Sequence, residues 1–187
     1  HVVQAAGIDA GYQTQAVCDW CKARVSRRCW ALKGIANMES PRPIWPPRSS
    51  RTDGGRREIR LVGVDTAKEL IHARLSIEET GPGYVHMLRP HCDDVWLHQL
   101  VAEKLRTKYI HGRAVHYWWK PDGRRNEVLD CFVYALAALR GLLGMGLRLE
   151  PRGSPAPRGP GAEAEPGTTS GWVHGGRPGG GKRWIDR

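Results

Sequence analysis

A chain of 187 residues is long enough for one domain with a real core plus additions. Its 29 Lys and Arg against 19 Asp and Glu give a formal net charge of +10. That balance favours a polyanionic partner, nucleic acid before a membrane surface, because no basic amphipathic helix stands out and no apolar run reaches the roughly 18 residues of a bilayer span.

The chain opens at His1 inside a strand pattern, which points to a piece of a longer protein. Residues 2–9 form a small-residue apolar run ending in Asp9, with Gly11 close behind. Such a run reads as a buried strand whose last residue leaves the sheet at its carboxyl end, where open α/β sheets bind ligands. An Asx-type turn is the plainer reading of the same residue. Residues 14–27 follow as a helix, with Val17, Trp20, Cys21 and Val25 on one side and Lys22, Arg24 and Arg27 on the other. Cys18 and Cys21 have a spacing used by zinc and redox sites, but a structural zinc wants two close pairs and Cys29 stands alone. The odd count of five cysteines, without a visible secretory signal, fits reduced thiols.

Residues 29–34 read as a short strand. Residues 35–57, with four prolines and the Gly54-Gly55 pair, read as a long loop. Arg42, Arg48, Arg51, Arg56 and Arg57 make it basic; phosphate contact is one reading and a solvated linker the other. A second acid-tipped strand, 59–65, ends in Asp65 and runs into a helix over 66–77. Lys68 falls in the first turn of that helix, where a cation opposes the dipole, so it needs a nearby carboxylate or phosphate unless it simply extends to water. Beyond the Gly81-Pro82-Gly83 turn, the pattern predicts a strand over 84–88, an amphipathic helix over 93–108 with Glu103 as a solvated charge, and a strand over 114–120. The last helix starts near Asn126, a good N-cap, and is apolar around much of its girth. Glu127 and Asp130 share one of its faces. The helix dipole accounts for Glu127, whereas Asp130 lies among Leu129, Cys131, Phe132 and Val133 and needs a partner such as a metal ion.

From Glu150 onward Pro, Gly, Ser and Ala dominate and cannot build a core. The division is therefore a domain over 1–148 and a flexible basic tail over 149–187. The tail's Gly-rich stretch before Lys182 imitates a phosphate-binding loop, but Arg183 replaces the required Ser or Thr. Trp172 and Trp184 suit anchors for a partner.

Acids at two strand ends and on one helix can hold two divalent cations, and hard oxygen ligands select Mg²⁺ or Mn²⁺. The stretches GIDAGYQTQAVCDWCKAR, LVGVDTAKELIHARL, GYVHM, QLVAEKL and RNEVLDCFVYALAALR resemble, in that order, the C-terminal nuclease domain of lambda-type phage terminase large subunits. The resemblance runs from about Val2 to Leu143 and implies a ribonuclease-H-like fold, a mixed sheet flanked by helices. It implies metal-dependent cutting of concatemeric double-stranded phage DNA in the host cytoplasm, with ATP used only by a preceding domain. It puts the acids on Asp9, Asp65 and Asp130, with Glu127 and Lys68 in support. The implied partners are the terminase small subunit and the portal of the empty capsid, with no membrane. A non-catalytic DNA-binding domain and a resolvase- or transposase-like nuclease of the same fold are the alternative readings.

Overall fold

The computed structural model describes residues 2–37 and 40–149, and those up to Arg148 belong to one unit. The tail beyond Leu149, with Trp172 and Trp184, lies outside the described residues.

Three strands run parallel: β1 (Ala6–Asp9), β2 (Cys29–Ile35) and β4 (Arg57–Gly63). A short β3 (Ser50–Thr52) pairs antiparallel with β4, so the mixed sheet has the order β1-β2-β4-β3. Helix α1 (Thr14–Lys22) packs on one face, and α4 (Glu127–Gly144) on the other, with α2 (Val64–Leu75) against it. Period-2 alternation divides the strands between the two faces. Trp30, Leu32 and Val62 enter the larger core with Leu129 and Val133 of α4, while Ala31 and Ile59 enter a smaller one under α1 with Cys18 and Cys21. Each fully buried Leu or Val of this kind contributes about 1.5–3 kcal/mol. The arrangement fits the ribonuclease-H-like expectation, and among the described residues no helix is long and apolar enough to cross a membrane.

The elements depart from the sequence pattern in four places. The stretch 84–88 forms no strand; it lies along the core through Met87 without a backbone partner in a sheet, and strand propensity needs a pleated neighbour to express itself. The helix expected over 93–108 stops early, as α3 (Asp94–Leu100), capped by the Asp93 carboxylate on the Trp96 amide at 2.8 Å. Residues 104–110 are instead β5 (Lys104–Ile110), joined to β6 (Arg113–Trp119) through His111 and Gly112, both at positive φ. Leu105, Thr107 and Tyr109 alternate at period 2, and the two-residue turn selects a hairpin over a helix. The long basic loop contains β3 and a tight turn, and β4 ends at Gly63, leaving Asp65 in the first turn of α2.

Trp45 pins that loop to the domain. Its ring meets Trp30 edge-on at 4.8 Å, lies beneath the Arg60 guanidinium at 4.6 Å and presses on Gly141 of α4. A Cβ on Gly141 would stand 2.8 Å from the indole. In an open helix Gly→Ala gains about 1 kcal/mol. Here the overpacking cost of about 1–3 kcal/mol outweighs it. Gly141→Ala is therefore expected to lower the urea midpoint; a raised midpoint would show that Trp45 yields freely.

Candidate active site

Because β1, β2 and β4 are parallel, their carboxyl ends share one edge of the sheet, and Asp9 ends β1 there. Its Oδ1 accepts the Gly11 amide at 2.9 Å, so the Asx-type turn forms. The same oxygen accepts the Tyr134 hydroxyl at 3.1 Å. Tyr134 lies one turn after Asp130 on α4, so both reach the same side. Its hydroxyl in turn accepts the Gly34 amide of β2 at 3.2 Å, which fastens α4 to the sheet at the edge where the acid sits. Burial, and then Asp9, push the Tyr134 phenol well above the usual range, so it stays a donor.

Asp9, Glu127 and Asp130 border one open groove of about 700 Å³, floored by β1 and by Tyr134, Ala138 and Leu142 of α4. Glu127 is exposed; its own backbone N–H at the helix start and the Arg125 guanidinium at 3.1 Å hold its carboxyl below the usual range. Asp130 is half-buried, and burial pushes its carboxyl up. Lys68 and Lys120 oppose that shift, while Glu103 and Asp9 add to it.

A hydrogen-bonded chain stands behind Asp130. Lys68 Nζ donates to Glu103 Oε2 at 2.8 Å, and both residues are buried. Asn126 Nδ2 donates to Glu103 Oε1 at 2.8 Å and to Asp130 Oδ2 at 3.1 Å. Lys120 Nζ donates to Asn126 Oδ1 at 3.0 Å, which fixes the way the amide faces. Asn126 occupies the N-cap position of α4 without a side-chain cap bond, because its amide serves this network instead.

The structure thus brings Asp9 and Asp130 to one groove, sets Glu127 on its rim and places Lys68 behind it. Asp65 is buried, and its Oδ2 accepts the backbone amide of Asn37 at 2.7 Å, tying down the segment that leaves β2. Among the described residues no three Asp, Glu, His or Cys side chains lie together as a metal-binding group. Asp65 sits two residues past the end of β4, which turns its carboxylate toward the Asn37 segment. Asp9 and Asp130 offer hard carboxylate oxygens, and Mg²⁺ commonly takes only one or two carboxylates beside water and substrate phosphates. Both carboxylates line the same groove and have the donor chemistry such an ion takes.

The basic loop divides by position. Arg42 lies at the acid edge: its amide donates to Asn37 Oδ1 at 2.9 Å, and its carbonyl crowds Gly63 so closely that only glycine fits there. Arg51, Arg56 and Arg57 belong to the β3–β4 turn at the amino end of β4, six residues or about 20 Å from Gly63. Arg57 is engaged there by Asp19 at 2.8 Å and by Asp53. Arg48 is exposed in the segment before β3. Cys18 and Cys21 are buried packing residues, and burial pushes the Cys21 thiol up to about 11, which does not suit a nucleophile.

Sequence reasoning missed Glu103, Tyr134 and the networked role of Asn126. The one signal for Glu103 was Lys68, a cation at a helix start in search of a carboxylate. The family described as "Terminase large subunit gpA, endonuclease domain" matches residues 1–148. The terminase large subunit of Escherichia phage lambda is 45% identical over 117 residues, covering 58% of this chain and 17% of that protein. The terminase large subunit of Enterobacteria phage P21 is 41% identical over 149 residues, covering 65% of this chain and 23% of that protein. The chain therefore spans less than a quarter of either relative. No solved structure matches it.

Proposed function

The chain belongs to the family of terminase large subunit gpA endonuclease domains, and from that premise we propose that it hydrolyses phosphodiester bonds of double-stranded DNA with a divalent cation, Mg²⁺ or Mn²⁺, held by Asp9 and Asp130. The observation that carries this reading is the pair of carboxylates from β1 and α4 on one open groove, with the Asp130 carboxyl raised by burial. When bound, the cation supplies Lewis-acid stabilisation of phosphoryl oxygens and an acidified water. A second ion would take its ligands largely from the DNA phosphates.

The chain's own residues contribute orientation and charge. Tyr134 holds the Asp9 carboxylate by Oδ1, and Asn126 holds Asp130 by Oδ2. The Lys68–Glu103 pair fixes Asn126 from behind. Lys120, anchored on Asn126, brings a cation near the carboxylates and opposes the rise in the Asp130 pKa. Arg42 stands at the same edge as a phosphate contact. Docking through the tail at Trp172 and Trp184, on the portal of the empty capsid, belongs to the same reading. Truncation after Arg148 should then spare cleavage of free DNA and abolish capsid binding.

The direct test is cleavage of duplex DNA by the 187-residue chain. Mg²⁺-dependent cutting that chelation stops and Asp9→Asn removes is the expected result. Unchanged cutting by the Asp9→Asn variant would move the chemistry off this groove.

A further inference from the structure

The β5–β6 hairpin carries a second feature that the carboxylate groove does not use. Every residue of β5 is exposed. Neither strand contains an acid. Residues directly opposite in an antiparallel pair share a face, and the register sets Lys104 opposite Trp119, Arg106 opposite Tyr117 and Ile110 opposite Arg113. Lys104, Arg106, Lys108 and Arg113 therefore share one face with Tyr117 and Trp119. The other face carries Trp118, whose ring rests on His72 of α2 at 4.7 Å. That contact roots the ribbon and turns its cationic face away from α2.

We propose that this cationic face of the hairpin grips the phosphate backbone of duplex DNA and leads it to the Asp9–Asp130 groove. The inference rests on the nuclease reading above and names the surface that holds the substrate. Three observations carry it. First, the charge is one-signed and regularly spaced: Lys104, Arg106 and Lys108 recur about every 7 Å along one strand. Second, the cations are held in place by aromatic rings, with the Arg106 guanidinium 3.5 Å from the Trp119 centroid and Lys108 Nζ 5.0 Å from that of Tyr117. Rings covered in this way are not open platforms for unpaired bases, which favours backbone contact to a duplex over single-strand stacking. A two-stranded ribbon also fits the major groove. Third, both ends of the hairpin enter the active-site network: Glu103 directly precedes β5, Lys120 directly follows β6, and both bond Asn126.

The test uses the 187-residue chain and its Arg106→Gln/Lys108→Gln/Arg113→Gln variant. Binding to a blunt duplex and to a single strand of equal length is measured across a salt series in the presence of chelator. Three lost phosphate contacts should weaken duplex binding and reduce the slope of log K against log salt by about 2.7. The charge-conserving Arg106→Lys/Lys108→Arg variant should keep the slope, which separates charge loss from misfolding. An unchanged slope in the triple variant, with the parent chain still binding and cutting duplex, overturns the hairpin assignment alone. Tighter single-strand binding that the triple variant loses also overturns it, giving the ribbon to unpaired strands. A parent chain that neither binds nor cuts duplex overturns the nuclease reading and this inference with it.

Discussion

Asp130→Asn is expected to remove cleavage and, at neutral pH, to raise the melting temperature. The loss follows from the groove: a ligand to a hard cation disappears, and stabilisation worth several kcal/mol goes with it, so the rate should fall by at least about 10²–10³-fold. The gain follows from burial. The folded-state pKa of Asp130 is raised, chiefly by desolvation, so folding disfavours its ionised form. The folded chain then binds this proton more tightly than the unfolded chain does. Its contribution to stability falls as pH rises from the unfolded carboxyl value through the raised folded one, and the penalty is fully present above that. Asn removes the penalty and keeps an oxygen for the Asn126 amide. The same raised pKa predicts that the parent's cleavage rate climbs with pH past the ordinary carboxylate range before levelling. Calorimetry at pH 5 and pH 7 alongside a cleavage–pH profile checks both halves. Full activity would remove Asp130 from the site, and a lower melting temperature at pH 7 would mean that Lys68 and Lys120 outweigh desolvation.

Asp65→Asn should behave otherwise. Its carboxylate takes the Asn37 amide in a buried charge-assisted bond. Hydrogen bonds to charged groups are worth about 1.5–3 kcal/mol, so this variant is expected to lose stability first, and activity only as Asn37 loses its tether and with it the hold on the Arg42 amide.

The contrast between these two acids shows what a sequence can display. Asp9 and Asp130, which share one groove, stood out because each breaks its local pattern: one ends an apolar strand and the other interrupts an apolar helix face. Asp65 ended a similar run, yet β4 stops at Gly63, and two residues of helix are enough to aim the carboxylate at β2's exit. The sheet strands β1, β2 and β4, and helix α4, were legible from periodicity because their partners lie on both faces of one sheet. The hairpin was not. Leu97, Leu100, Val101 and Leu105 fall at helical spacing by coincidence, and only the pairing of Lys104–Ile110 with Arg113–Trp119 decides for strand. That misreading hid Glu103, because a residue placed mid-helix on a polar face looks solvated. At the break between α3 and β5 it turns inward instead.

The largest stability effect is expected at the ion pair this break creates. Lys68→Met leaves the Glu103 carboxylate buried with only the Asn126 amide, and orphaning one partner of a buried pair costs about 3–5 kcal/mol. Glu103→Leu orphans the Lys68 ammonium at a helix start, where the dipole already disfavours it. The double variant Lys68→Met/Glu103→Leu removes both charges and should recover most of the loss, since a well-packed apolar pair often equals or exceeds a buried ion pair. A double-mutant cycle in urea therefore yields a large coupling, and purely additive costs would show that the two charges do not depend on each other. Activity separates this from simple repacking. Lys68 lowers the Asp130 pKa and Glu103 raises it. Lys68→Met should move the rising limb of the cleavage–pH profile to higher pH, and Glu103→Leu should move it lower. The double variant, stable again, should still cut slowly, because Asn126 has lost the carboxylate that aims it at Asp130. Wild-type rates in the stable double variant would mean that Asn126 is held well enough by Lys120 alone, and that the pair serves the fold rather than the chemistry.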